Sequence, residues 1–152
     1  MDRNRLTNAA RQTGNSLAGE VRNWAKGTYR AEAAVELLLT GMRGRLAYRG
    51  APWIEPLGTD QAGKAYARVN PAELVEQSGP LSSGERFVAK VVANLLDNQT
   101  LVPLADIARL DTSEARIVLG ALRHAAGLKP PAAPAQVLGP TSAALRPPAL
   151  SL

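Results

Sequence analysis

The residues best suited to chemistry are cations near the start of the chain. Arg3, Arg5, Arg11, Arg22, Lys26 and Arg30 are opposed within the first thirty residues only by Asp2 and Glu20, a net of +4. Several recur at about one-turn intervals, with Asn15 on the same stripe. Lys, Arg and Asn so spaced are the groups that contact a phosphate backbone, and their chemistry would be counterion release from a nucleic acid. The same spacing also describes a plain solvated helix face. A smaller candidate set, Arg116, Arg123 and His124, forms with Gly120 the polar stripe of a later, apolar helix.

Bond-making chemistry has little to work with. The chain has no cysteine and one histidine, His124. That removes thiolate metal sites, disulfides and thiol nucleophiles. No Ser or Thr has a visible histidine base. Glu32 and Glu36 sit one turn apart, but no histidine or third carboxylate stands nearby to complete a metal site. His124 reads as a helix-end residue facing the C-terminal dipole. We therefore expect no catalytic residue, no metal and no cofactor, and no enzyme. The lack of cysteine suits the cytoplasm. The start of the chain leads into no signal-peptide-like apolar run, and no stretch is long enough to span a membrane.

The elements that must position these groups can be read from spacing. Residues 1–27 form one weakly amphipathic helix, or a broken one, with Leu6, Ala10, Leu17, Val21 and Trp24 on one side; Gly14 and Gly19 weaken it. Residues 29–43 form a firmer helix, buried through Ala34, Val35, Leu38, Leu39 and Met42. Arg45 to Arg49 can be extended. Two alternating stretches flank Gly58 to Gly63 and predict a β-hairpin near 52–69, its first strand pushed to an edge by Pro52 and Pro56. Trp53 and Tyr66 there could stack on bases, although core packing is the commoner use. Asn70-Pro71-Ala72-Glu73 caps a short helix to about Gln77.

The stretch from Pro80 to Gly127 organises the rest. Ser82-Ser83-Gly84-Glu85 fits a capping box. Behind it Phe87, Val88, Val91, Val92, Leu95 and Leu96 share one face, with Arg86, Ala89, Lys90, Ala93 and Asn94 on the other. Asp111-Thr112-Ser113-Glu114 repeats the pattern before a helix that is apolar almost all round, from Ala115 to Ala126. Such a helix belongs in the middle of a domain, so the two helices should bury each other. Pro103 opens a short helix, Leu104 to Leu110, between them. That helix and the next also suggest a helix-turn-helix. Yet no glycine marks the turn and the second helix begins apolar, which favours a core helix over a DNA reader. After Gly127, six prolines among alanine and serine describe a tail with little to bury. Leu145-Arg146-Pro147-Pro148 is a candidate docking peptide within it.

Ser83-Gly84-Glu85-Arg86, Leu110-Asp111 and His124-Ala125-Ala126-Gly127 resemble a group of small uncharacterised proteins of high-GC Gram-positive bacteria and their phages and plasmids. The resemblance covers about the central two-thirds of the chain and implies an accessory or mobile-element role. Ser82 to Glu85 is also similar to the signature loop of ATP-binding cassette proteins. No G-x-x-x-x-G-K-[ST] accompanies it, so the capping box accounts for it.

The expected fold is mainly α. A basic N-terminal helical arm (1–28) precedes a small helical domain (29–127) with a short β-hairpin, then a disordered Pro/Ala-rich tail (128–152). The expected function is a non-enzymatic accessory protein binding nucleic acid through the arm, with no membrane partner. The alternative is a protein–protein interaction or assembly module.

Overall fold

The computed structural model describes residues 16–129. The chain folds as expected into a mainly helical unit with one antiparallel hairpin. Arg3, Arg5, Arg11 and Asn15, and the tail from 130 onward, lie outside the described residues.

The first helix, α1, spans Leu17–Ala25. Ser16 caps it, its hydroxyl accepting the Gly19 N–H at 3.1 Å. The single helix expected over 1–27 stops at Lys26, because Gly27 follows at φ +101°, a conformation that glycine tolerates and other residues resist. Val21 and Ala25 are buried in the common core. The expected boundary at residue 28 therefore falls inside one packed unit.

The second helix, α2 (Tyr29–Thr40), is the true centre. Its Ala33, Ala34, Val35, Leu37 and Leu38 are all buried. Beyond it lies a 3₁₀ turn, Gly41–Gly44, in which Met42 and Arg43 take left-handed backbone angles of φ 51° and 58°. The turn passes close over its neighbours at Gly41, where an added Cβ would sit 3.1 Å from Val88 and 3.2 Å from Leu37. Arg45 to Arg49 turn rather than extend.

The hairpin pairs β1 (Ile54–Thr59) with β2 (Ala65–Val69), in register from Ile54↔Val69 to Thr59↔Ala65. The register shifts between Pro56 and Gly58, where proline has no N–H to give the ladder. Ala65, Ala67 and Val69 face inward and β2 packs against α1. Trp53 is buried and its Nε1–H donates to the Leu46 carbonyl at 2.8 Å. Base stacking by Trp53 is thereby excluded. Tyr66 lies half-buried, its hydroxyl 3.2 Å from Asp60.

Asn70 and Pro71 open α3 (Pro71–Glu76), which packs on α4 (Ser83–Asp97). The capping box forms: Ser82 accepts the Glu85 N–H and Glu85 accepts the Ser82 N–H, each at 3.2 Å. The buried face of α4 is wider than its spacing predicts, since Ala89 and Ala93 are fully buried beside Val88 and Val92. Asn98, left-handed at φ 57°, ends the helix.

A 3₁₀ turn, Leu104–Arg109, leads to α5 (Thr112–Ala125), capped by Asp111. Here the sequence-based expectation fails. Helices α4 and α5 each pack chiefly against α2 rather than burying each other. Only Glu114, Val118 and Ala121 of α5 are buried. Leu119 is 50% exposed and Leu122 36%. The physical reason is competition: α2 is apolar on two sides and can hold both helices, so α5 lies at the flank. Glu114 does not complete a second capping box. Its carboxylate instead accepts the Met42 N–H at 2.8 Å, fastening α5 to the left-handed turn. Among the described residues no helix is long and apolar enough to cross a membrane.

Candidate functional site

The structure does not gather the described arm cations into one surface. Arg22 reaches across to α2, its Nε 2.6 Å and its second nitrogen 3.2 Å from the two oxygens of Glu36. This hydrogen-bonded pairing raises the guanidinium pKa further, against a smaller opposing effect of burial. Arg22 is thus a clamp between α1 and α2, not a group held out for phosphate. Lys26 and Arg22 border a hollow that also holds Glu32, Glu36 and His124. Arg30 is exposed and faces a different cleft, of about 320 Å³, with Trp24 and Arg68. Arg68 is itself paired to Glu55. Asn70 first, and Arg68 second, hold the Glu55 carboxyl below its usual range.

The second candidate set divides as well. His124 turns back to α2, its Nε2 3.1 Å from Glu32 and its ring edge-on to Tyr29 at 5.6 Å. Glu32 also accepts the Gly27 N–H at 3.2 Å. His124 first, then Gly27, hold the Glu32 carboxyl below its usual range. His124 therefore links the end of α5 to the start of α2. Glu36 and Glu32 engage partners on different elements, and no group of three or more His, Asp or Glu among the described residues could hold a metal. Arg116 and Arg123 are exposed. Arg123 donates to the Lys129 carbonyl at 2.9 Å.

The feature that spacing did not reveal is an apolar groove. Its floor is α4, through Phe87, Val91 and Leu95. One wall is the Leu104–Arg109 turn, through Leu104 and Ile107; the other is α5, through Val118, Leu119 and Leu122. The cavity within is about 210 Å³ and Asn94 is its one polar side chain. Leu104 is 72% exposed at the lip, and Leu101 just before it 88%. The signal was present in the sequence as the apolar circumference of α5. Spacing alone assigns such a helix to the middle of a domain.

No protein-family model, curated protein or solved structure matches the chain.

Proposed function

We propose that this protein is a non-enzymatic protein-interaction module that receives a partner over the groove between α5 and the Leu104–Arg109 turn. The observation that carries this reading is the set of exposed leucines, Leu104, Leu119 and Leu122, around an apolar cavity. Scattered surface leucines need no explanation, but a contiguous set around a groove marks an interaction site. The cavity is smaller than the ~300–1,000 Å³ of small-molecule sites. It suits one or two anchoring side chains of a larger partner. The resemblance to proteins of high-GC Gram-positive bacteria and their mobile elements implies an accessory role, and the lack of cysteine suits the cytoplasm. A photo-crosslinking residue in place of Leu119 should capture a discrete protein from an extract of the source organism, with or without nuclease. The same residue in place of Leu57, on the hairpin, should not. Equal labelling from both positions would count against the groove.

A second reading keeps nucleic acid as the partner of the N-terminal region. Its support is the cleft where exposed Arg30 stands with Trp24 and Arg68, cations of the kind that contact a phosphate backbone. Four to five phosphate contacts would give a log K against log salt slope of roughly −4 on duplex DNA. Changing Arg11, Lys26 and Arg30 to alanine should flatten that slope by about 3. Failure to bind DNA or RNA at low salt ends this reading.

A further inference from the structure

The side chains that line the groove carry no charge, yet cations stand on both of its long sides. On the outer face of α5, Arg116 lies three residues before Leu119 and Arg123 four after it, so both share its face. Across the 3₁₀ turn a smaller hollow shares Phe87 with the groove and holds Arg86, Lys90 and Arg109. These are all the lysines and arginines between residues 71 and 127. Asp106 is the one carboxylate in that hollow, 3.6 Å from Arg109. Arg86, Lys90 and Arg116 have no partner among the described residues.

That charge pattern selects the occupant. A second copy of the chain would set this cationic rim against itself, and like charges across an interface are costly. The chain's own tail does no better, because residues 130–152 contain Arg146 and no acidic residue. The first thirty residues are themselves net positive. An acidic surface of another protein is complementary. Its backbone should be helical. The groove walls are helices whose N–H and C=O groups are paired internally, so an extended segment would leave its own backbone groups unpaired against leucine. A helix brings its backbone already satisfied.

We infer that the groove takes an acidic amphipathic helix of another protein. A leucine- or phenylalanine-sized anchor enters the cavity, and Asp or Glu on the helix flanks face Arg116, Arg123 and Lys90. This rests on the docking reading and names its partner class.

The test uses the full chain and three labelled probes: a short helical peptide with Leu on one face and Glu elsewhere, the same peptide with Lys for Glu, and duplex DNA. Fluorescence anisotropy should show the Glu peptide binding at least about tenfold tighter than the Lys peptide at low salt, the advantage shrinking as salt screens it. Leu119→Asp should weaken the Glu peptide by about tenfold or more. That position is half exposed, so folding should persist, as circular dichroism would verify. Lys90→Glu with Arg116→Glu should reverse the preference between the peptides. Equal binding of the two peptides, or indifference to Leu119→Asp, overturns the inference. So does DNA that displaces the Glu peptide and depends on the same cations. If neither peptide binds while Leu119 still crosslinks to a protein, the acidic helix is wrong and the docking reading survives. If crosslinking fails too, both fall.

Discussion

Removing the Glu114 side chain should loosen α5 from the rest of the protein. The carboxylate is buried and accepts the Met42 N–H at 2.8 Å. Glu114→Ala orphans that part-buried donor, at a cost of up to about 1–3 kcal/mol. It also removes a buried methylene, worth about 0.8 kcal/mol. The total, roughly 2–4 kcal/mol, is a large share of a typical stability of about 5–15 kcal/mol. Glu114→Gln keeps an acceptor oxygen but loses the charge, and charge-assisted bonds are roughly twice as strong as neutral ones. Its cost should be nearer 1 kcal/mol. Urea denaturation at neutral pH measures both, and hydrogen exchange at the Met42 amide reports the bond directly. If Glu114→Ala lies within about 0.5 kcal/mol of wild type, like an ordinary surface change, the tether carries no weight. If Gln is as damaging as Ala, the acceptor argument is wrong.

Three further outcomes follow from the packing and the ion pairs. Val92 is fully buried, so Val92→Asp buries an unpaired charge and should abolish folding; a soluble, cooperatively melting variant would refute the core assignment. The Arg22–Glu36 pair is about half exposed on both sides, so Arg22→Ala should cost under about 1 kcal/mol, and a larger loss would mean the clamp orders α1. The carboxyls of Glu32 and Asp97 are held below their usual values. Burial pushes Asp97 up, but N–H donors from Gln99 and Thr100 outweigh it. A depressed carboxyl stabilises the fold above its unfolded pKa and loses that effect as pH falls through its folded one. Melting temperature should therefore fall below about pH 4, and Asp97→Asn should flatten the decline; an unchanged acid slope would contradict this.

Much of the fold was legible because local chemistry fixed it. Ser82 with Glu85, and Asn70 with Pro71, marked helix starts that the structure places at the same residues. Glycine-bounded alternation located the hairpin to within two residues of its observed ends. Burial was less legible, because spacing shows which face of a helix is apolar but not which neighbour covers it. Ala89 and Ala93 were assigned to the outer face of α4 and are buried, since small side chains let another element approach. Arg22 looked like a free cation because Glu36 lies fourteen residues away, beyond any local rule. His124 and Glu32 are separated by ninety-two positions, and only the packing of α5 on α2 joins them.

The charge of the region from 71 to 127 shows why counting alone misleads. It holds Glu73, Glu76, Glu85, Asp97, Asp106, Asp111 and Glu114 against five cations, and so is formally negative. But four of the seven carboxylates are engaged by backbone N–H groups of the chain itself. Glu85 closes a cap, Asp111 caps α5, Glu114 holds the Met42 turn, and Asp97 gathers the N–H groups of Gln99 and Thr100. A carboxylate so engaged keeps its charge but is held at its own backbone rather than paired with the rim cations. The cations are left on the surface, on the side of the molecule where α5 also leaves its leucines. Among the described residues, α5 is covered on one side only. The exposed side of α5 and the cationic rim thus lie on the same face, and the docking proposal rests on that coincidence.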